Sequence, residues 1–446
     1  MKREKIDLVF ICICLLCCAA LAAGMLFFGP AQARANELLT ATPALMTDGG
    51  LNPRFLSDCA DYLSDHFFLR QELVTAHNRM LTQFGGGTAN DVIAGADGWL
   101  YYAQTLDDYT GIGAMSEAEL ASAARNLYLM QEYCDGQGVS FLFVPVPNKN
   151  SLYDAAMPSF GVKAAEHSAQ RLIALLDDGG VRCADLFSAF RERGEVLYFR
   201  HDSHWNAKGA ALAADEINRG LGRSSDYAAA DFSGTAPHAG DLYEMRYPAG
   251  TDPETDCVSG GTLSYTREGS DTRPDSITIN TAGGGSGGLL MFRDSFGNSL
   301  YPYLADSFAS ARFSRATAYN LTLAEKLDAG CVVIELVERN LRYLLRFAPV
   351  MPAPERELRA PESVSGTIAL AVSGTAPAME GYTAYCGTLP QAADDAAILL
   401  FCGNTAYEAF TGGDGSFTAY LPKDRTPELA AARINTELVA FQTIHP

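Results

Sequence analysis

Two short segments of this chain hold the residue types of an activated hydroxyl nucleophile. Asp202-Ser203-His204-Trp205 offers a carboxylate two residues before an imidazole. Further along, Arg293-Asp294-Ser295-Phe296-Gly297 places a serine just after the apolar run Leu289-Leu290-Met291-Phe292. A serine hydroxyl is a poor nucleophile at neutral pH, so a base must take its proton and a carboxylate must hold that base in one tautomer. Ser295 can be the nucleophile, His204 the base and Asp202 the orienting carboxylate. The chemistry such a set performs is acyl transfer or ester hydrolysis.

Charge would also build on the substrate oxygen during attack. The Ser295, Phe296 and Gly297 N–H groups and the Asn298 side chain are candidate donors to it. Arg293 and Lys149 could hold an anionic or sugar-bearing substrate, with Asn148 beside them. Plainer readings stand next to these. Asp294 or Ser295 could cap a helix. Trp205 could be packing, Asn148-Lys149 an ordinary turn, and Glu335, Glu338 and Arg339 a structural charge cluster. His201 could join Asp202 and His204 as metal ligands, which would suit a metal-dependent phosphoesterase. The other histidines show no partner spacing, so no metal or other cofactor is assigned.

These residues need a scaffold that brings them together. Ala96-Asp97-Gly98 predicts the turn of a hairpin over 91–102. Ser116 and Glu119 predict a capping box at the start of a helix running to Cys134. Val139–Val146 reads as a buried strand whose Pro145 keeps its end from a central position. A helix is expected over 164–176, short strands over 181–186 and 195–199, and an alanine-rich helix over 207–221. Buried-type strands follow at 289–292 and 331–336. Gly283–Gly288 lacks the Gly-Lys-Ser/Thr ending of a phosphate loop and reads as a turn feeding the strand before Ser295. Strands alternating with helices indicate an α/β sheet that is at least partly parallel, and such sheets gather their sites at the carboxyl ends of the strands. After about residue 358, short alternating segments punctuated by Gly, Asn and Asp predict a small β-sandwich.

The bulk numbers set limits. A chain of 446 residues exceeds one ordinary core. A net charge of -20 disfavours nucleic acid as a partner. Lys2, Arg3 and Lys5 precede an uncharged stretch from Leu8 to Pro30, long enough for the roughly 20 residues of a membrane-crossing helix. Positive charge stays cytoplasmic, so the bulk of the chain is expected outside the cytoplasm. Ala31-Gln32-Ala33 offers the alternative of signal cleavage and secretion. The expected organisation is an anchor over 1–35, a catalytic domain over 36–357 and a β module over 358–446. Of 11 cysteines, four lie in the apolar stretch. Cys386–Cys402 is a candidate bridge for an oxidising compartment.

The combination of motifs resembles the DHHW family, relatives of the alginate O-acetyltransferases with an SGNH-hydrolase-like domain. Asp202-Ser-His-Trp205 resembles the family's Asp-x-His-Trp signature, with serine where many relatives carry histidine. Residues 93–102 look like its opening hairpin, Pro145-Val-Pro-Asn-Lys149 with Tyr153 and Pro158 like its strand and lysine segment, and Arg293–Gly297 like its nucleophile segment. The likeness covers about residues 55–345. It implies a flavodoxin-like fold in permuted order, since the histidine precedes the serine, and supports the roles already given to Ser295, His204 and Asp202. It also implies acetyl transfer to a surface or exported polysaccharide, with an acyl donor that a membrane-bound O-acyltransferase could supply. The β module lies outside this likeness, and glycan binding without turnover is the competing expectation.

Overall fold

The structure is a computed structural model. It describes residues 2–31, 39–47, 49–85, 87–373, 379–389, 397–435 and 437–445. Gln32 and Ala33 of the small-residue cleavage pattern, and the expected boundary at residue 35, lie outside the described residues.

Helix α1 (Lys2–Phe28) has a mean hydropathy of 2.8 over Asp7–Phe28. Its apolar side chains point outward all round, with Leu16 71% and Leu26 86% exposed. A helix apolar on every face and uncovered by protein is suited to lipid. It is a membrane anchor or a signal sequence. Its end rests on the rest of the chain through a stacked Phe28–Phe68 pair.

The α/β domain is built on a six-stranded sheet. Its strands are β1 (Ser140–Val146), β2 (Tyr265–Arg267), β3 (Thr278–Gly283), β4 (Gly288–Phe292), β5 (Ser310–Ser314) and β6 (Cys331–Val337), in the spatial order β1-β6-β4-β5-β3-β2. The four strands β1, β6, β4 and β5 are parallel, while β3 pairs antiparallel with β5 and β2 pairs antiparallel with β3. Pro145 sits on the edge strand, where a missing N–H costs no ladder bond on the open side.

Both faces of the sheet are covered, so its strands are apolar on both sides. Leu142, Val144, Leu289 and Met291 pack on one face against α4 (Ala207–Gly220) and α5 (Gly297–Ser307). Phe141, Phe143, Leu290 and Phe292 pack on the other against α2 (Glu117–Gly136) and α3 (Ser168–Asp178). Helix α2 begins at the expected capping box. The Glu119 N–H donates to Ser116 Oγ, and the Ser116 N–H donates to the Glu119 carboxylate. The hairpin forms as Val92–Ala94 paired with Leu100–Tyr102, its turn passing through Asp97 (φ 53) and Gly98 (φ 78).

Three local expectations change. The helix expected from 164 starts at Ser168. The strand expected over 181–186 reduces to one bridge, Phe143 to Cys183, after which Asp185 caps a helix from Leu186 to Arg193. The strand over 195–199 reduces to the bridge Tyr198–Trp205. In both cases the backbone turns into a helix or loop before a ladder can lengthen.

The C-terminal part is a single sheet and not two stacked ones. Its strands are β7 (Val364–Ala369), β8 (Ala371–Ser373), β9 (Tyr382–Thr388), β10 (Ile398–Cys402), β11 (Thr405–Thr411), β12 (Ser416–Pro422), β13 (Leu429–Ile434) and β14 (Glu437–Ile444). They run in the order β7-β14-β13-β10-β11-β12-β9-β8, and Glu355–Arg356 adds a short pairing to β11. The first and last strands of that order, β7 and β8, are separated in sequence only by Leu370. The sheet therefore curls into a nearly closed barrel, in place of the expected sandwich. Period-two alternation is the same for both architectures, so it cannot tell them apart. All 11 cysteines are unpaired, so the Cys386–Cys402 bridge is not present.

Candidate active site

The parallel strands place three chain segments on one rim. Beyond the end of β4 come Arg293, Asp294 and Ser295. Beyond β6 come Glu338 and Arg339, and beyond β1 come Asn148 and Lys149. Asp294 ties two of these ends together: Oδ1 accepts the Phe296 N–H and Oδ2 accepts the Val337 N–H. It spans two strands, and neither it nor Ser295 caps helix α5, whose N-cap residue is Phe296.

The loop 199–206 carries Asp202 and His204 to the same rim. Trp205 anchors this loop. It is fully buried, its indole N–H donates to Ser299 Oγ, and its ring meets Phe296 edge-on. Helix α4 starts directly behind it, and Gly209 permits that approach. A Cβ there would lie 2.6 Å from the Leu197 carbonyl oxygen and 2.8 Å from Trp205 Cβ.

The three side chains are in line. His204 Nε2 lies 2.8 Å from Ser295 Oγ, and His204 Nδ1 lies 2.6 Å from Asp202 Oδ1. Phe296 packs beneath the imidazole, with ring centroids 4.6 Å apart. Asp202 is buried and its carboxylate is fully occupied. Oδ1 also accepts the His204 N–H, while Oδ2 accepts the Asp241 N–H and faces His238 Nε2 at 2.9 Å. Burial works to raise the Asp202 pKa, but the His204 charge and these hydrogen bonds hold it well below the usual carboxylate range. Burial pulls the His204 imidazole down, and the Asp202 charge and hydrogen bond more than offset this, so its pKa ends above the ordinary histidine value.

The site opens into a cleft of about 550 Å³, lined by Tyr102, His238, Asp241, Asn298, Arg315 and Arg339 among others. A cavity of about 630 Å³ lies where the barrel meets the sheet domain, and neither a histidine nor a carboxylate lines it. It lacks the chemistry of the cleft.

The oxyanion candidates sort themselves by what is already bonded. The Phe296 N–H is taken by Asp294. The Asn298 N–H donates to the Ser295 carbonyl, and its Oδ1 accepts from Arg293 Nη1 at 2.6 Å. A guanidinium only donates, so the atom facing it must be the amide oxygen. The Asn298 Nδ2 is then turned to the cleft. The Ser295 and Gly297 N–H groups complete the set of candidate donors. Gly297 also answers a packing need, since a Cβ there would press within 2.5 Å of the Arg293 side chain.

Arg293 does not line the cleft. It is buried, and besides Asn298 it donates to the carbonyls of Pro274, Ser276 and Asp294. Lys149 is likewise buried, and its ammonium donates to the carbonyls of Phe199, Arg200 and Asp202, with the hairpin rings of Trp99 and Tyr101 over it. Burial pulls its pKa down to about 7. Asn148 is buried too, giving its N–H to Glu338 Oε2. These three hold the rim and do not line the cleft, contrary to the substrate-binding expectation. Charge usually means solvent, but here clustered carbonyls supply the partners.

Three residues, Asp241, His238 and Arg315, escape sequence reasoning, and a fourth, Arg339, reads in the sequence only as part of a structural charge cluster. Asp241 accepts both the Ser203 N–H and hydroxyl, and lies 3.6 Å from His204 Nδ1. Burial and the neighbouring Asp202 charge raise its pKa. His238 stacks on Phe199 at 3.9 Å and shares Asp202 with His204. Arg339 and Arg315 bring positive charge to the cleft wall. No spacing signal precedes Asp241, His238 or Arg315, which come from separate segments, whereas Arg339 follows the end of β6. His201 turns away, its Nδ1 facing the Asp252 carbonyl. The carboxylate that completes a possible metal set with Asp202 and His204 is Asp241.

A second serine, histidine and carboxylate group lies behind the rim. Ser151 Oγ is 3.4 Å from His167 Nδ1, and Asp108 and Glu338 face the same nitrogen. One ring nitrogen there meets both the hydroxyl and the carboxylates. In the cleft the two roles fall on opposite nitrogens, as proton relay requires.

Residues 92–262 match the family model of the SGNH hydrolase-like domain of acetyltransferase AlgX. The match includes Asp202 and His204 and ends before Ser295. Among solved structures, a DHHW family protein from Eubacterium siraeum is 17% identical, covering 59% of this chain and 98% of its own, with a TM-score of 0.45. Bacillus cereus PatB1 is 17% identical over 56% and 96%, with a TM-score of 0.43. Pseudomonas aeruginosa AlgX is 15% identical over 75% and 87%, with a TM-score of 0.38. No curated protein matches the sequence.

Proposed function

We propose that this chain, which over residues 92–262 carries the SGNH hydrolase-like domain of the AlgX acetyltransferase family, is a membrane-anchored serine O-acetyltransferase or esterase acting outside the cytoplasm on a polysaccharide. One observation carries the reading. Ser295 Oγ, His204 and Asp202 form an unbroken line of 2.8 and 2.6 Å contacts at the floor of a cleft.

Ser295 Oγ attacks the acyl carbonyl of the donor while its proton passes to His204 Nε2. Asp202 holds the Nδ1 proton and stabilises the imidazolium. The negative oxygen meets Asn298 Nδ2 and the Ser295 and Gly297 N–H groups. The imidazolium returns its proton to the leaving oxygen, and an acyl-serine remains. A sugar hydroxyl, deprotonated by His204, then takes the acyl group and frees Ser295. Water in place of the sugar gives hydrolysis. Arg293 and Lys149 are positioning residues in this scheme. Lys2, Arg3 and Lys5 at the start of α1 support an inside N-terminus, with 36–357 as the catalytic unit and 358–446 as an accessory module.

The test uses the full chain purified in detergent. An aryl acetate should release its alcohol, and a sulfonyl fluoride should add its mass to Ser295 and stop turnover. Ser295→Ala should lose both. Label or activity that survives in Ser295→Ala but disappears in Ser151→Ala would transfer the nucleophile to the second group. Activity lost to a chelator and restored by metal in His167→Ala as well as in the parent would instead support a metal centre at Asp202, His204 and Asp241. Glycan binding with no turnover from donors of several chain lengths would make the chain a binding protein.

A further inference from the structure

Behind the rim, Asp108, His167 and Glu338 direct three ligand atoms at one point, all within 4.8 Å of one another. His167 Nδ1 lies 3.3 Å from Asp108 Oδ2 and 3.4 Å from Glu338 Oε1, and Ser151 Oγ lies 3.4 Å from the same nitrogen. Each carboxylate has one saturated oxygen. Asp108 Oδ1 accepts the Ser168 N–H and hydroxyl, and Glu338 Oε2 accepts the Asn148 N–H and the Ser151 hydroxyl. The other oxygen of each, Asp108 Oδ2 and Glu338 Oε1, is buried with no hydrogen-bond partner. The Glu338 side chain is wholly inaccessible.

An orphaned carboxylate oxygen in that setting is costly. One imidazole N–H can point at only one oxygen, and charge-assisted bonds of that kind close to about 2.7–2.9 Å. The observed separations are longer and nearly equal. They fit the edges of a tetrahedron. A zinc ion at about 2.0–2.1 Å from nitrogen and carboxylate ligands sets neighbouring ligand atoms about 3.3–3.4 Å apart. The outer bonds to the second oxygens are the kind that orient metal-ligating carboxylates.

We propose that Asp108 Oδ2, His167 Nδ1 and Glu338 Oε1 bind a structural divalent cation, zinc by their chemistry, with Ser151 Oγ or a water as the fourth ligand. Two carboxylates and a neutral imidazole balance a charge of plus two. The ion joins four distant segments. Glu338 precedes the cleft-lining Arg339, and Ser151 follows Lys149, which holds the Asp202 loop. The ion thus fixes the rim from behind and takes no part in the acyl transfer.

The experiment uses the untagged full chain in detergent, stripped by a chelator and dialysed against zinc. It should take up about one equivalent that dialysis does not remove, with a rise in Tm. Cobalt(II) should give the intense visible bands of a four-coordinate site. His167→Ala and Glu338→Gln should lose both signals, while Asp202→Asn, which alters the cleft cluster, keeps them. Ser151→Ala leaves all three ligands and removes one outer bond, so it covers the case in which a ligand variant does not fold. Its affinity should fall by about 10–100-fold. No zinc uptake and no Tm shift would overturn the proposal, as would zinc retained unchanged in Glu338→Gln and Ser151→Ala. Loss of aryl-acetate turnover alone bears on Ser295 and leaves this site unaffected.

Discussion

Asn298→Asp separates catalysis from stability. The buried Arg293 guanidinium now faces only neutral acceptors at its hydrogen bonds, the nearest being Asn298 Oδ1 at 2.6 Å, and burial pushes its pKa down to about 10. Aspartate keeps the shape and replaces that acceptor with a charged one. A neutral hydrogen bond contributes about 0.5–1.5 kcal/mol and one to a charged group about 1.5–3 kcal/mol. The variant should therefore be as stable as the parent, or more stable by about 1 kcal/mol. That is a Tm change of a few degrees at most. The same substitution turns the cleft-facing amide donor into an acceptor. Losing one oxyanion donor costs about 2.7–4 kcal/mol of barrier, or roughly 10²–10³ in kcat, and the added negative charge makes that a lower bound. Asn298→Ala should show a similar kcat loss but a lower Tm, because Arg293 Nη1 keeps only the Asp294 carbonyl. The assays are aryl-acetate kinetics and thermal unfolding on the full chain. Asn298→Asp with kcat within tenfold of the parent would refute the assignment of this amide to the oxyanion. A Tm well below that of Asn298→Ala would refute the Arg293 pairing.

His204 must be neutral to accept the Ser295 proton, and its pKa is raised. The kcat/KM profile should thus be low in acid and rise with pH through a midpoint above the roughly 6.5 of a free imidazole. Asp202→Asn removes the charge and leaves the burial, so that midpoint should move down while kcat falls by about 10⁴ through loss of the correct tautomer. An unmoved midpoint would exclude His204 as the titrating base. Lys149→Met orphans the Phe199 and Asp202 carbonyls, whereas Arg200 keeps the Leu100 N–H as a donor. At roughly 1–3 kcal/mol per orphaned carbonyl, Tm should drop clearly and kcat should fall with it. An unchanged Tm would show that the loop does not depend on this ammonium.

The histidine–serine pairing was legible because both residues sit in segments with strong local signals. Leu289–Phe292 is too apolar to be anything but a buried strand, and Trp205 beside His204 demands a core to enter. The capping box and the hairpin turn were legible for the same local reason. His238 and Asp241 were not. They lie between Leu221 and Thr278, where no apolar periodicity announces the short strand Gly234–His238. Arg293 and Lys149 misled because charge is normally a surface signal. Their positions are set by backbone carbonyls from residues 199–202, 274–276 and 294, and no pattern of side chains records where carbonyls point. The cation cluster is scattered over residues 108 to 338 and becomes visible only once the strand ends meet.

The seam of the barrel has a consequence of its own. The chain leaves β7 and enters β8 across the single residue Leu370, whose N–H donates to the Ile444 carbonyl. Unpaired strand borders invite other chains to add on. A module that brings its two borders together at one residue offers little purchase for such addition. Were copies of this chain held side by side, this module would give them little strand border on which to pair.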